Sequence, residues 1–88
     1  LVNTRDRLRE AKALENQRDW PRLIVYCQQW VQAEPKSSLA WTHLGYAYQF
    51  ANQFESAITS FEIAINFDPD NPVAPIGIGM CKRGWSGK

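Results

Sequence analysis

Few side chains in this sequence can carry chemistry, and their types point to contact rather than catalysis. His43 is the single histidine, and Cys27 and Cys81 are the two cysteines. A hydrolytic or transfer site needs a positioned base beside a nucleophile, or a metal in a pocket. A structural zinc site needs four Cys or His ligands, commonly at CxxC spacing, and the chain has neither the number nor the spacing. No glycine-rich phosphate loop is present. No enzyme and no cofactor or metal are therefore expected. What remains are residues suited to binding. Arg5, Arg9 and Lys12 fall at i, i+4 and i+7, one basic stripe if the segment is helical. His43, Tyr46, Gln49 and Phe50 fall at i, i+3, i+6 and i+7, and they mix aromatic surface with polar handles. Together these residues suit a protein or peptide partner that carries acidic groups. Each set has an ordinary alternative. The basic stripe can be a solvated face, since Asp6, Glu10 and Glu15 lie near it, and Tyr46 and Phe50 can pack against a neighbouring helix.

The elements that would position these residues are written in a spacing that occurs twice. Trp20, Leu23, Ile24, Cys27, Trp30 and Val31 lie at i, i+3, i+4, i+7, i+10 and i+11. Phe54, Ala57, Ile58, Phe61, Ala64 and Ile65 repeat the same offsets 34 residues later. Such offsets return to one side of a 3.6-residue turn, so each set is the apolar face of a helix. Recurrence at this period marks a repeat, a unit that cannot bury its own face and must stack on a neighbour. Cys27 lies inside the first stripe and reads as a small buried hydrophobe.

The stops and starts agree. Residues 4–16 read as a first helix, capped by Asn3 or Thr4, with a sparse apolar side of Leu8, Ala11 and Leu14. Asp19 caps a second helix that runs to Ala33 and is stopped by Pro35. Ser37 or Ser38 caps a third over residues 38–51, followed by Asn52, which tolerates a left-handed helix end. A fourth occupies residues 54–67 and ends at the turn cluster Asp68-Pro69-Asp70-Asn71-Pro72. A frayed fifth helix is expected at about 73–83, capped by Asn71 and weakened by Pro75, Gly77 and Gly79. Residues 84–88 read as an unstructured tail.

Eighty-eight residues with a net charge of +1 make one small domain without a strong field for nucleic acid or anionic membrane. No apolar run approaches the ~20 residues that span a bilayer. The chain begins at Leu1 rather than Met, as expected of a segment of a longer protein.

Residues 41–69 carry a family pattern. Trp41, Leu44, Gly45 and Tyr48, then Ala57 and Phe61, then Pro69 stand at the spacing W-x2-L-G-x2-Y, A-x3-F, P. The segment thereby resembles the tetratricopeptide repeat. Small Gly45 and Ala57 would let the two helices of the repeat approach, with Trp41, Leu44, Tyr48 and Phe61 filling the space around them. Residues 4–35 resemble the family less closely. There Ala11, Leu14, Leu23, Cys27 and Pro35 fall at the signature positions, but Arg7 and Glu10 replace the Trp and Leu, and Trp30 replaces the small residue seen at Ala64. Beyond Pro69, Ile78 and Gly79 fall in register with Leu44 and Gly45, while Pro75 and Lys82 depart from the pattern.

The resemblance implies an all-α, right-handed superhelix of about five helices. Its parts would be a divergent repeat at 4–35, a signature-complete repeat at 38–71, and a capping helix with tail at 72–88. It also implies that a partner peptide or helix lies in a concave groove lined by the first helix of each repeat. Arg5, Arg9, Lys12, His43, Tyr46, Gln49 and Phe50 are the groove candidates. The carboxylate clamp of one subfamily is not matched: His43 stands at an Asn position and Leu8 at a Lys position. A scaffold or homodimer role is the alternative to peptide binding.

Overall fold

A computed structural model describes residues Asn3–Gly87, and every regular element among them is helical. Five α-helices follow in order: α1 Thr4–Asn16, α2 Trp20–Ala33, α3 Ser38–Phe50, α4 Phe54–Phe67 and α5 Ala74–Lys82. Each helix packs on the next, and α5 also returns to α3.

The helix starts recur with the sequence period. Asn3 Oδ1 accepts from Asp6 N at 2.9 Å, Ser37 Oγ from Ala40 N at 3.1 Å, and Asn71 Oδ1 from Ala74 N at 3.0 Å. The three residues stand 34 apart, but only Asn3 and Ser37 are N-caps. α5 starts at Ala74 with Val73 as its N-cap and no side-chain cap, so Asn71, expected to cap it, instead closes the turn ahead of it by accepting from Val73 N and Ala74 N. The Asn71 Nδ2 donates to Ser38 Oγ and to Thr42 Oγ1, both at 2.9 Å, which ties the loop before α5 to the first turn of α3.

The helix ends recur as well. Arg18 (φ 55°) and Asn52 (φ 63°) are left-handed, and the residue after each reaches back five positions: Asp19 N to Leu14 O and Gln53 N to Tyr48 O. This is the hydrogen bond of a Schellman-type stop. Gly84 (φ 72°) repeats it after α5, with Trp85 N donating to Met80 O at 3.0 Å. Here the period slips. Asn71 keeps the 34-residue step from Ser37, but α5 starts 36 residues after the start of α3 and ends only 32 after its end, so Gly84 comes 32 residues after Asn52.

The core lies in two clusters, bridged by the partly buried Trp41 and Tyr48. Ala11, Leu14, Leu23, Cys27, Trp30, Val31, Ala40, Leu44 and Ala47 bury the α1–α2–α3 side. Ala57, Phe61, Ala64, Ala74 and Cys81 bury the α3–α4–α5 side. Cys27 and Cys81 are both buried free thiols. Trp30 is fully buried despite its size: its indole N–H donates to Glu34 Oε2 at 3.1 Å, and its ring lies against His43.

Phe61 is the wedge between α3, α4 and α5. A β-carbon on Gly45 would lie 2.6 Å from its Cε1, and one on Gly77 would lie 2.5 Å from its Cζ. The sequence register pairs Gly79 with Gly45. In the structure Gly77 meets the ring, while a β-carbon on Gly79 would meet only Arg83 at 3.7 Å. The tail also departs from expectation. Residues Gly84–Gly87 form no helix, yet they are held against α3, as the Trp85 carbonyl accepts from Gln49 Nε2 at 3.1 Å.

Candidate functional site

Between α1 and α3 runs an open cleft of about 560 Å³. Its α1 wall is Leu8, Arg9, Lys12 and Glu15, and its α3 wall is His43, Tyr46 and Phe50. Both walls follow from helical spacing. Leu8, Lys12 and Glu15 are at i, i+4 and i+7 on α1, and His43, Tyr46 and Phe50 are at i, i+3 and i+7 on α3.

The floor is aromatic and stacked. Trp20 lies on Phe50 at 5.0 Å between centroids, and Phe50 on Tyr46 at 5.9 Å. Tyr46 meets the edge of Phe61 at 5.3 Å and 84°. Beside this run, His43 stacks on Trp30 at 5.4 Å. These are the offset and edge-on arrangements that aromatic quadrupoles favour. The floor is therefore positioned by the core and is formed before any ligand arrives.

The rim is charged. Arg9 and Lys12 are exposed, and Lys12 Nζ lies 3.9 Å from Glu15 Oε2. An exposed pair of this length stabilises the fold little, so Lys12 can turn toward a ligand at small cost. Burial shifts the polar groups of the floor. The His43 imidazole is held below its ordinary value by burial. The Tyr46 hydroxyl is raised, first by burial and then by the Glu15 carboxylate. At neutral pH both present uncharged rings, leaving Arg9, Lys12 and Glu15 as the charges of the cleft.

Five of the seven candidates from the sequence thus line one cleft: Arg9, Lys12, His43, Tyr46 and Phe50. Arg5 is exposed one turn earlier on α1 and continues the basic stripe beyond the lining. Gln49 needs correction as an open groove residue. It is fully buried, its Nε2 donates to the Trp85 carbonyl and faces Met80 Sδ at 3.8 Å, and its Oε1 has no hydrogen-bond partner. The reason is the tail, which covers this part of α3. Leu8 and Glu15 are the residues that sequence reasoning passed over. Leu8 falls with Ala11 and Leu14 by spacing of three, but its i+4 relation to Lys12 is the signal that places it in the cleft.

Among the described residues, no cluster of three His, Cys, Asp or Glu could hold a metal, and no helix is long and apolar enough to cross a membrane. Compared with known proteins, the chain matches no family model and none of the curated sequences.

Proposed function

We propose that this chain is a tetratricopeptide-repeat-type interaction module that binds an acidic, extended segment of a partner protein in the α1–α3 cleft. The observation that carries the reading is the cleft itself: a preformed aromatic floor with Arg9 and Lys12 on one rim. The signature residues, and the 34-residue recurrence of the caps Asn3 and Ser37 and of the stops Arg18 and Asn52, support the repeat assignment. Aromatic surface supplies contact area at low entropic cost, and the rim cations select the charge of the ligand.

A displayed library of short random peptides, selected on the whole chain, tests it. Acidic sequences with apolar anchors are expected to be enriched. A fluorescein-labelled acidic peptide from the selection should lose at least about tenfold in affinity on the Arg9→Glu, Lys12→Glu protein, with melting unchanged. Equal binding by that protein, or enrichment without acidic character, would refute the reading.

A scaffold role is the second reading, favoured by apolar surface on both flanking helices. Val25 on α2 and Ile76 on α5 are 52% and 61% exposed. Light scattering over a concentration series separates the two. A stable dimer abolished by Val25→Lys or Ile76→Lys supports the scaffold, and a monomer at all concentrations supports the receptor.

A further inference from the structure

The stack contains the same joint twice, filled in two ways. Where α4 packs on both α3 and α5, three buried positions of the joint are Phe61, Ala64 and Gly77. Thirty-four residues earlier, where α2 packs on both α1 and α3, the same positions are Cys27, Trp30 and His43. The bulk has moved. In the second joint it is Phe61, which lies against Gly77, and α3 and α5 pack on each other directly. In the first joint the small Cys27 takes the place of Phe61. The rings there are Trp30 and His43, stacked at 5.4 Å between centroids and 26° between planes.

Trp30 cannot yield to the ring that lies on it. It is 0% exposed, and its indole N–H is held by Glu34. His43 carries the stack outward from α2 and lines the cleft beside Arg9 and Lys12 of α1. Gly77, at the equivalent place on α5, sends no side chain into its own joint. Accordingly α1 packs closely on α2 alone, while α3 and α5 meet.

We propose that the Trp30–His43 stack is the spacer that holds α1 away from α3 and thereby sets the width of the cleft. The α3–α5 joint is the same joint without the spacer, and it is closed. The consequence for a partner rests on the cleft being the binding site. Trp30 lines no part of the cleft and acts through His43, so it is a positioning residue. An apolar anchor of the acidic partner segment enters between the helices at the spacing that the stack maintains. Because both rings are in place beforehand, the partner does not have to open the gap.

The test measures width and binding separately on the full chain. Arg5, Leu39 and Val73 stand 34 residues apart and are all exposed, one at the start of each first helix. Ketone-directed spin labels at these positions, which leave both thiols alone, give the Arg5–Leu39 and Leu39–Val73 distances by pulsed electron resonance. Affinity for the fluorescein-labelled acidic peptide selected above is read on unlabelled protein. His43→Ala and Trp30→Leu should each shorten the Arg5–Leu39 distance by about 3.5 Å, the thickness of one ring, and leave Leu39–Val73 unchanged. Each should also weaken the peptide about tenfold, whereas His43→Phe, which keeps a ring on Trp30, holds the parent distance and binds within about threefold of the parent. The His43 variants decide the spacer even where Trp30→Leu unfolds. An unchanged Arg5–Leu39 distance in His43→Ala overturns the spacer. A shorter distance with unchanged affinity overturns the link from width to binding and leaves the cleft as the binding site. A peptide that binds none of the proteins, the parent included, overturns the cleft reading, and the consequence for a partner falls with it.

Discussion

Replacing Gly45 by Ala tests the packing around Phe61 with a predicted sign opposite to intrinsic helix propensity. In an open helix interior, Gly to Ala gains about 0.5–1 kcal/mol. Here the added carbon would lie 2.6 Å from Phe61 Cε1, 2.7 Å from Cδ1 and 2.9 Å from Cζ. The ring cannot swing clear toward α5, because Gly77 already lies against its Cζ, Cε2 and Cε1. Phe61 is 0% exposed, so any adjustment must move a helix. Overpacking of this kind costs about 1–3 kcal/mol, which leaves a net loss of roughly 0.5–2 kcal/mol after the propensity gain. For a domain of this size that is a fall of about 3–15 °C in melting temperature. The same reasoning gives Gly77→Ala the same sign. Gly79→Ala has the opposite sign, since its carbon would meet only Arg83 at ordinary contact distance. Thermal and urea unfolding followed by helical circular dichroism read all three. A double-mutant cycle adds Phe61→Leu, which makes room, and should return a coupling of at least about 1 kcal/mol with Gly45→Ala. A more stable Gly45→Ala protein, or zero coupling to Phe61→Leu, would refute the wedge.

Three other outcomes follow from the same contacts. Asn71→Ala removes two bonds to the Val73 and Ala74 amides and two bonds to α3, and should cost about 1–3 kcal/mol in urea titrations, with Asn71→Asp in between because it keeps the acceptor and loses the Nδ2 donors. The native His43 lies below its ordinary value of 6.5, so the unfolded chain binds the proton first; stability from this group is complete above pH 6.5, declines as pH drops through it, and levels off once native His43 protonates. Melting temperature should fall on acidification through that window, and His43→Gln should flatten the fall; an unchanged profile in the variant removes His43 as its cause. The Cys27 thiol is pushed up to about 12, first by burial and then by Glu15, so it should resist iodoacetamide at neutral pH until urea unfolds the chain; native labelling at the rate of a free thiol would contradict that burial.

What the sequence carried depended on whether the determinant was local. The expected helices at 4–16, 20–33 and 54–67 match the structure, and those at 38–51 and 73–83 each run slightly long. Their limits are set by caps, prolines and left-handed residues within a turn of the helix itself, as at Asn3, Asp19, Ser37 and Asn52. The cleft was legible for a similar reason. Arg9 with Lys12, and His43 with Tyr46 and Phe50, share faces fixed by the helical period. Leu8 and Glu15 on α1 aside, the missed features lie at and beyond α5, where the period breaks. Gly77 rather than Gly79 meets Phe61, and nothing local announces that slip. Gln49 looked available because its i+6 offset from His43 says nothing about a tail that returns from 36 residues away.

That break in period also changes how the chain leaves α5. Gly84 turns the chain back to the end of α3, where the Trp85 carbonyl meets Gln49. The α3 wall of the cleft is itself held by ring packing: Phe50 stacks on Trp20 and on Tyr46, and Tyr46 meets the edge of the fully buried Phe61, so the aromatic side of the cleft is tied to the core.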